Sequence, residues 1–264
     1  MSIDSKLATV SALDAEVLTA LFAGTYIAVR VPNFYDAQYC KNLVEPLYEK
    51  IDNDAATGGI YESDIDSFWN VMNDETRRER YLDAALPVQQ RLRTMSAPYP
   101  SPVDQLRLAL DEAWPGGATL MTMAERKMPF GITRLWRSGK EALPHQDLLW
   151  REVDPDRLSV KLIGQLGVNI YLDTADEGGE LETWDRYITD TEYEPLRETY
   201  PGSYGYSRDL LPAESLLISP EVGDLVMVNT TRAHAVRKIT TGRRMTVSGF
   251  VGNAGTDQPL RCWS

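Results

Sequence analysis

The spacing of apolar positions changes near residue 117. Before it, apolar residues recur every three or four positions, the period of amphipathic helices. Leu13, Val17, Leu18 and Leu21 share one face of a predicted helix, with Ser11 as its expected N-cap and Gly24 as its stop. Residues 25–31 then predict a strand, because Tyr26, Ile27, Ala28 and Val29 form a short apolar run bounded by Gly24 and Pro32. Asp36 is placed to cap a second helix that carries Cys40, Leu43, Leu47 and Tyr48. Residues 52–67, rich in Asp and Gly, predict a long loop. Residues 75–95 predict a helix interrupted near Pro87, and residues 102–114 one carrying Leu106, Leu108 and Leu110, stopped by Pro115-Gly116-Gly117.

From Ala118 onward, short apolar runs alternate with turn residues. They predict strands over residues 118–123, 132–136, 160–172, 180–184, 215–218, 225–229, 234–239 and 244–251. Residues 191–200 read as a helical insertion and residues 201–208 as a loop rich in Gly, Tyr and Ser. The expectation is an α+β fold: a double-stranded β-helix, or jelly-roll (cupin-like) barrel, with supporting N-terminal helices. Residues 1–117 are the expected helical support, 118–254 the barrel core and 255–264 a C-terminal tail. No flexible linker separates the halves, so a single domain is expected.

Composition narrows the classes. At 264 residues the chain can bury a sizeable core without disulfides. Its two cysteines, Cys40 and Cys262, are far apart and in no zinc-ligand spacing, which suits a reducing, cytoplasmic setting. No run of about 20 apolar residues predicts a membrane span, and the first residues lack the pattern of a secretory signal. The formal net charge of −12 opposes binding to nucleic acid or to an anionic membrane, yet permits a local basic pocket. A small-molecule substrate is the expected partner; oligomeric state is left open.

Only two histidines occur, and both fall where a metal site would want them. His145 and Asp147 are two residues apart, so on extended backbone their side chains point the same way. His234 opens a predicted strand and can approach from a neighbour. Two imidazoles and one carboxylate leave three positions open on an octahedral ion, as in non-haem Fe(II) oxygenases. Further on, Arg244 and Thr246 alternate onto one face of a strand; a buried arginine needs an anion, and a dicarboxylate cosubstrate is one source. An exposed basic turn at Arg243-Arg244 is the competing account.

Between residues 132 and 251 the chain resembles the Fe(II)/2-oxoglutarate-dependent dioxygenase superfamily. The carrying features come in order: His145-x-Asp147; Asn169-Ile170-Tyr171-Leu172-Asp173 leading into Gly178-Gly179-Glu180-Leu181; Pro220-Glu221-Val222-Gly223-Asp224-Leu225; His234-Ala235-Val236; and Gly242-x-Arg244-x-Thr246. The resemblance implies that His145, Asp147 and His234 bind Fe(II), and that Arg244 and Thr246 hold the distal carboxylate of 2-oxoglutarate. It further implies O2 as a cosubstrate, with release of succinate and CO2. Chlorinating relatives carry a small residue in place of the carboxylate, so Asp147 points to hydroxylation. Desaturation, cyclisation and epimerisation stay open.

For the substrate, Arg134 is placed to hold a carboxylate and Trp150 to wall the pocket, with Trp136, Arg151 and Trp184 also near the metal motif. Core packing of the aromatics and a surface ion pair for Arg134 are the plainer alternatives. The loops at 52–67 and 201–208 are long enough to serve as lids, with Tyr204 and Tyr206 as contacts. The expected substrate is a small polar metabolite, such as a free amino acid or a natural-product intermediate. The alternatives are a peptidyl hydroxylase and a catalytically silent metabolite-binding barrel. A zinc hydrolase would give Arg244 no role.

Overall fold

The computed structural model describes residues 2–54, 60–66, 71, 74–198 and 204–264. The strands are β1 (Leu7–Thr9), β2 (Ala28–Val31), β3 (Glu62–Ser63), β4 (Ala118–Leu120), β5 (Thr122–Met123), β6 (Arg126–Lys127), β7 (Ile132–Arg137), β8 (Ala142–His145), β9 (Gly164–Asp173), β10 (Leu181–Tyr187), β11 (Leu216–Ile218), β12 (Leu225–Asn229), β13 (Arg232–Val236), β14 (Arg243–Asn253) and β15 (Leu260–Trp263). A nine-stranded sheet runs β1-β2-β12-β9-β14-β15-β4, with β7 also on β14 and β3 on β7. A four-stranded sheet has the order β11-β10-β13-β8.

Alternation along the central strands builds two apolar layers. Leu166, Val168, Ile170 and Leu172 of β9, Leu225 and Met227 of β12, and Met245 and Val247 of β14 face the helices, against Leu18, Leu21, Leu43 and Leu47. The opposite faces of these strands look toward the small sheet. There Ile27, Trp136, Tyr171, Val226 and Val228 pack with Ala142, Leu181, Leu216 and Val236. Even-numbered residues of β14, Arg244, Thr246 and Ser248 among them, therefore lie between the sheets.

The helices follow the predicted period. Ala15–Ala23 is capped by Asp14, whose carboxylate accepts from the Val17 amide at 2.8 Å, and ends on left-handed Gly24. Asp14, three residues beyond the expected Ser11, is the one at hydrogen-bonding distance from the first turn. Ala37–Asp54 begins after Asp36, which accepts from the Gln38 amide. The stretch near Pro87 divides into Glu75–Asp83 and Ala85–Ser96. Pro102–Ala113 is capped by Ser101; it buries Leu106 and Leu110 but leaves Leu108 exposed. Asp190–Arg197 provides the expected insertion; residues 199–200 of that stretch lie outside the described residues. Among the described residues no helix is long and apolar enough to cross a membrane.

Several strands escaped the periodic reading. β8 is four residues long and contains Pro144, which is tolerated because β8 lies at the edge of the small sheet. β3, inside the expected loop 52–67, pairs with β7. The expected tail, 255–264, carries β15, which pairs with β14 and β4 and buries Trp263. β13 starts at Arg232, so His234 sits mid-strand instead of at its start.

Crossovers between the sheets fix how the site is assembled. β12 passes to β13 through Thr230 and Thr231. There the Asn229 side chain accepts from the Thr231 amide at 3.1 Å and donates to the Leu21 carbonyl at 2.9 Å. β9 passes to β10 through Gly178, which has φ +80°; a Cβ there would stand 2.0 Å from the Lys238 carbonyl oxygen. Gly178→Ala is therefore expected to cost about 1–3 kcal/mol or more, lowering Tm by roughly 2–4 °C per kcal/mol. Thermal denaturation checks this; an unchanged Tm would show that the crossover relaxes freely.

Candidate metal centre

His234 and His145 are direct cross-strand partners on β13 and β8. Their rings lie 4.3 Å apart, centre to centre. Asp147 follows β8, held by its amide donating to the Thr230 carbonyl at 3.1 Å. One carboxylate oxygen of Asp147 is 3.2 Å from Nε2 of His234 and the other 3.7 Å from Nε2 of His145. Ligand atoms of all three residues fall within 4.8 Å of one another.

Both histidines are oriented in the same way. Nδ1 of His145 lies 2.7 Å from the Leu143 carbonyl, and Nδ1 of His234 lies 3.1 Å from the Arg232 carbonyl. A carbonyl only accepts, so each ring donates from Nδ1 and turns its Nε2 toward the centre. Burial, together with the neighbouring His234, pushes His145 down to about 4, so it needs to lose no proton to bind a metal at neutral pH. Burial raises Asp147, but the neighbouring imidazoles of His145 and His234 outweigh it and hold the carboxyl below its ordinary range.

These groups open onto a cavity of about 410 Å³, lined among others by Trp136, Asn169, Leu181, Val228 and Arg244. Arg244 is 3% exposed. One terminal nitrogen donates to the Tyr171 hydroxyl at 3.0 Å, and the rings of Tyr171 and Trp136 flank the guanidinium. Its Nε and the other terminal nitrogen are buried with no hydrogen-bond partner among the described residues. An unpaired buried guanidinium costs several kcal/mol, so a site built this way is built for an anion. Arg243 turns outward and pairs with Asp173 and Glu45. Thr246 is fully buried, its hydroxyl 2.8 Å from that of Ser248, which in turn donates to Asn169.

The expected substrate residues separate. Arg134 and Trp136 line the cavity. Trp150 does not: it packs against the cluster of Val71, Tyr81, Met121 and Leu149. The one-turn helix Leu149–Glu152 instead presents Glu152 to the cavity. Arg151 is drawn to Asp190 and the Tyr193 ring. Trp184 is buried in a separate cluster, with its indole donating to the Pro212 carbonyl. Tyr206 lies in that same cluster. Tyr204 does reach the cavity; its ring stands edge-on to His145 and its hydroxyl accepts from the Leu143 amide at 2.9 Å.

Of the two expected lids, residues 55–59 and 67 of the first and 201–203 of the second lie outside the described residues. The described part of the first brings Ile60, Tyr61, Ser63 and Asp66 to the cavity. Nothing in the local pattern marked Tyr61. Asn169 had a signal, a polar residue in the apolar run of β9 on the face opposite Val168 and Ile170.

Arg244→Met keeps the side-chain volume and removes the unpaired charge. In the metal-free protein without anionic ligands, its Tm is expected to equal or exceed that of the wild type, where truncating an ordinary core residue would lower it. A drop of more than about 5 °C, roughly 1–2 kcal/mol, would mean that Arg244 is structural.

The model of the family described as "Carrier-protein-independent halogenase WelO5" matches residues 13–264. The chain is 25% identical over 277 residues to the L-gamma-glutamyl-L-propargylglycine hydroxylase of Streptantibioticus cattleyicolor, covering 97% of each chain. It is 32% identical over 97 residues to the L-isoleucine 3(1)-dioxygenase of Pantoea ananatis, covering 36% of this chain and 32% of that protein. The fold is similar to that of an N-substituted L-amino acid dioxygenase from Burkholderia ambifaria, with TM-score 0.66 and 17% identity over 96% of this chain and 92% of that one.

Proposed function

The chain belongs to the family of the carrier-protein-independent halogenase WelO5, within the Fe(II)/2-oxoglutarate-dependent dioxygenases, and we propose that it hydroxylates a free amino acid or an amino-acid derivative. The observation that carries this reading is the convergence of His145, Asp147 and His234 beside a buried Arg244 that has no anionic partner among the described residues. The two facing sheets support the jelly-roll reading of the fold.

The donor set fits the cofactor. Two bare imidazole nitrogens and one ionised carboxylate are the ligands of an Fe(II) facial triad. The carbonyls of Leu143 and Arg232 keep both rings turned inward. The two bare nitrogens of Arg244 match the distal carboxylate of 2-oxoglutarate. Thr246 is one strand period away, and its hydroxyl would exchange the Ser248 partner for the cosubstrate. When bound, the iron with 2-oxoglutarate and O2 supplies the oxidant that breaks a C–H bond, with release of succinate and CO2.

The protein's own part is to bind, orient and shield. Trp136 and Tyr171 hold the Arg244 guanidinium between their rings. Leu181, Val228 and Val236 give the cavity apolar walls that exclude water around the reacting centre. Tyr204 packs on His145, and burial pushes its phenol up to about 12, so it remains a neutral wall.

Hydroxylation is favoured over halogenation by Asp147. Its carboxylate stands beside both histidines as the third protein donor, the position a halide would need vacated. Two relatives support the amino-acid substrate class, one named a hydroxylase of a γ-glutamyl amino acid and one a dioxygenase of isoleucine.

Adding Fe(II) and then 2-oxoglutarate to the metal-free protein under anaerobic conditions is expected to produce the weak visible charge-transfer band of the chelate. His234→Ala should abolish the band while keeping the far-UV CD spectrum. Asp147→Ala should lower succinate formation more than about 100-fold, since loss of a metal ligand exceeds the 10–100-fold of an outer partner. A folded wild type that gives no band would end this reading.

A further inference from the structure

Arg134 is a second cation of the same cavity. It projects from the inner face of β7, across the ladder from Thr246. Its guanidinium lies 5.0 Å from the ring centre of Tyr61 and 5.8 Å from that of Phe250. It forms no hydrogen bond or ion pair among the described residues, and its Nε is buried without a partner. The outward arginines beside it are all satisfied: Arg137 of the same strand pairs with Glu62 and Asp52, and Arg243 with Asp173 and Glu45. Arg197, also on the cavity, has Glu194 at 3.5 Å.

Two arginines with no ion-pair partner among the described residues share one cavity, the buried Arg244 and the partly exposed Arg134, and each favours an anion. On the oxygenase reading, Arg244 takes the distal carboxylate of 2-oxoglutarate, and the other carboxylate of that molecule goes to the metal. Both carboxylates of the cosubstrate then have a partner other than Arg134. We infer that Arg134 selects a substrate with a free carboxylate, which it holds through a bidentate pair. The inference rests on that reading. The rings of Tyr61 and Phe250 hold the guanidinium by cation–π contact and leave its N–H groups to donate, the geometry that recognises a planar carboxylate. A carboxyl consumed in an ester, a thioester or a peptide bond is neutral and would leave the cation unpaired. The substrate is therefore a free acid, neither tethered to a carrier nor internal to a polypeptide.

The test titrates free L-amino acids and γ-glutamyl amino acids, each beside its methyl ester, into the anaerobic Fe(II)–2-oxoglutarate complex. Binding is read as perturbation of the charge-transfer band and as a thermal shift. At least one acid is expected to bind, with its ester at least about tenfold weaker. Arg134→Gln should lose at least about tenfold in affinity for the acid and little for the ester, and Arg134→Lys should recover part of the loss. Formation of the band in each variant shows that it is folded and loaded. Equal binding of acid and ester overturns the inference, as does wild-type affinity for the acid in Arg134→Gln. A matching loss of 2-oxoglutarate affinity in Arg134→Gln reassigns Arg134 to the cosubstrate and also overturns it. So does a panel in which no compound binds a wild type that forms the band. A wild type without the band instead defeats the oxygenase reading itself.

Discussion

The pairing of β14 with β9 is the constraint on which the rest of the site depends. The two strands stay in one register over the eight positions from Thr246 to Asn253, and β14 is buried at every residue after Arg243. Its other edge is shared between β7 and β15, so its backbone groups are paired on both sides, as burial demands. A strand buried on both faces leaves only its alternation to decide where each side chain goes. A slip by one residue would bring Met245 into the cavity and set Arg244 among Ile170, Leu172 and Leu43. The register that packs the helices is the same register that aims the guanidinium.

The two faces of the large sheet do opposite things energetically. Toward the helices, Ile170, Met227 and Val247 are fully buried among apolar partners, each contributing about 1.5–3 kcal/mol. Toward the small sheet, the buried Arg244 carries charge with no ion-pair partner among the described residues, at a cost of several kcal/mol. The apolar layer offsets the cost of that buried charge. Such local destabilisation at a functional site is the usual trade against stability.

The charge pattern follows the same division. The chain carries a formal net charge of −12, yet its inner cavity presents unpaired arginines. Arginines that turn outward from the same strands, Arg137 and Arg243, are neutralised by Glu62, Asp52, Asp173 and Glu45. The surface acids thus pair with the outer cations, while Arg244 and Arg134 share the low-dielectric cavity with Asp147, Asp66 and Glu152. Net charge alone would have suggested a protein that repels carboxylates.

The sequence by itself determined the change of period near residue 117, most of the helices and long strands, the choice of His145, Asp147 and His234 as candidate metal ligands, and the inward and outward assignment of Arg244 and Arg243. Each is a property of a few neighbouring residues: a period, a cap, a spacing of two along extended backbone. The tertiary structure alone decided that β8 forms despite Pro144, because an edge position spares the missing donor, and that residues 260–263 become a strand, because β14 and β4 lie alongside. It alone turned Trp150 into a remote cluster while Glu152 faced the cavity, and brought Tyr61 over Arg134 from more than seventy positions away in the chain. Whether a charged residue is paired or left bare depends on partners distant in sequence, and no local pattern contains that information.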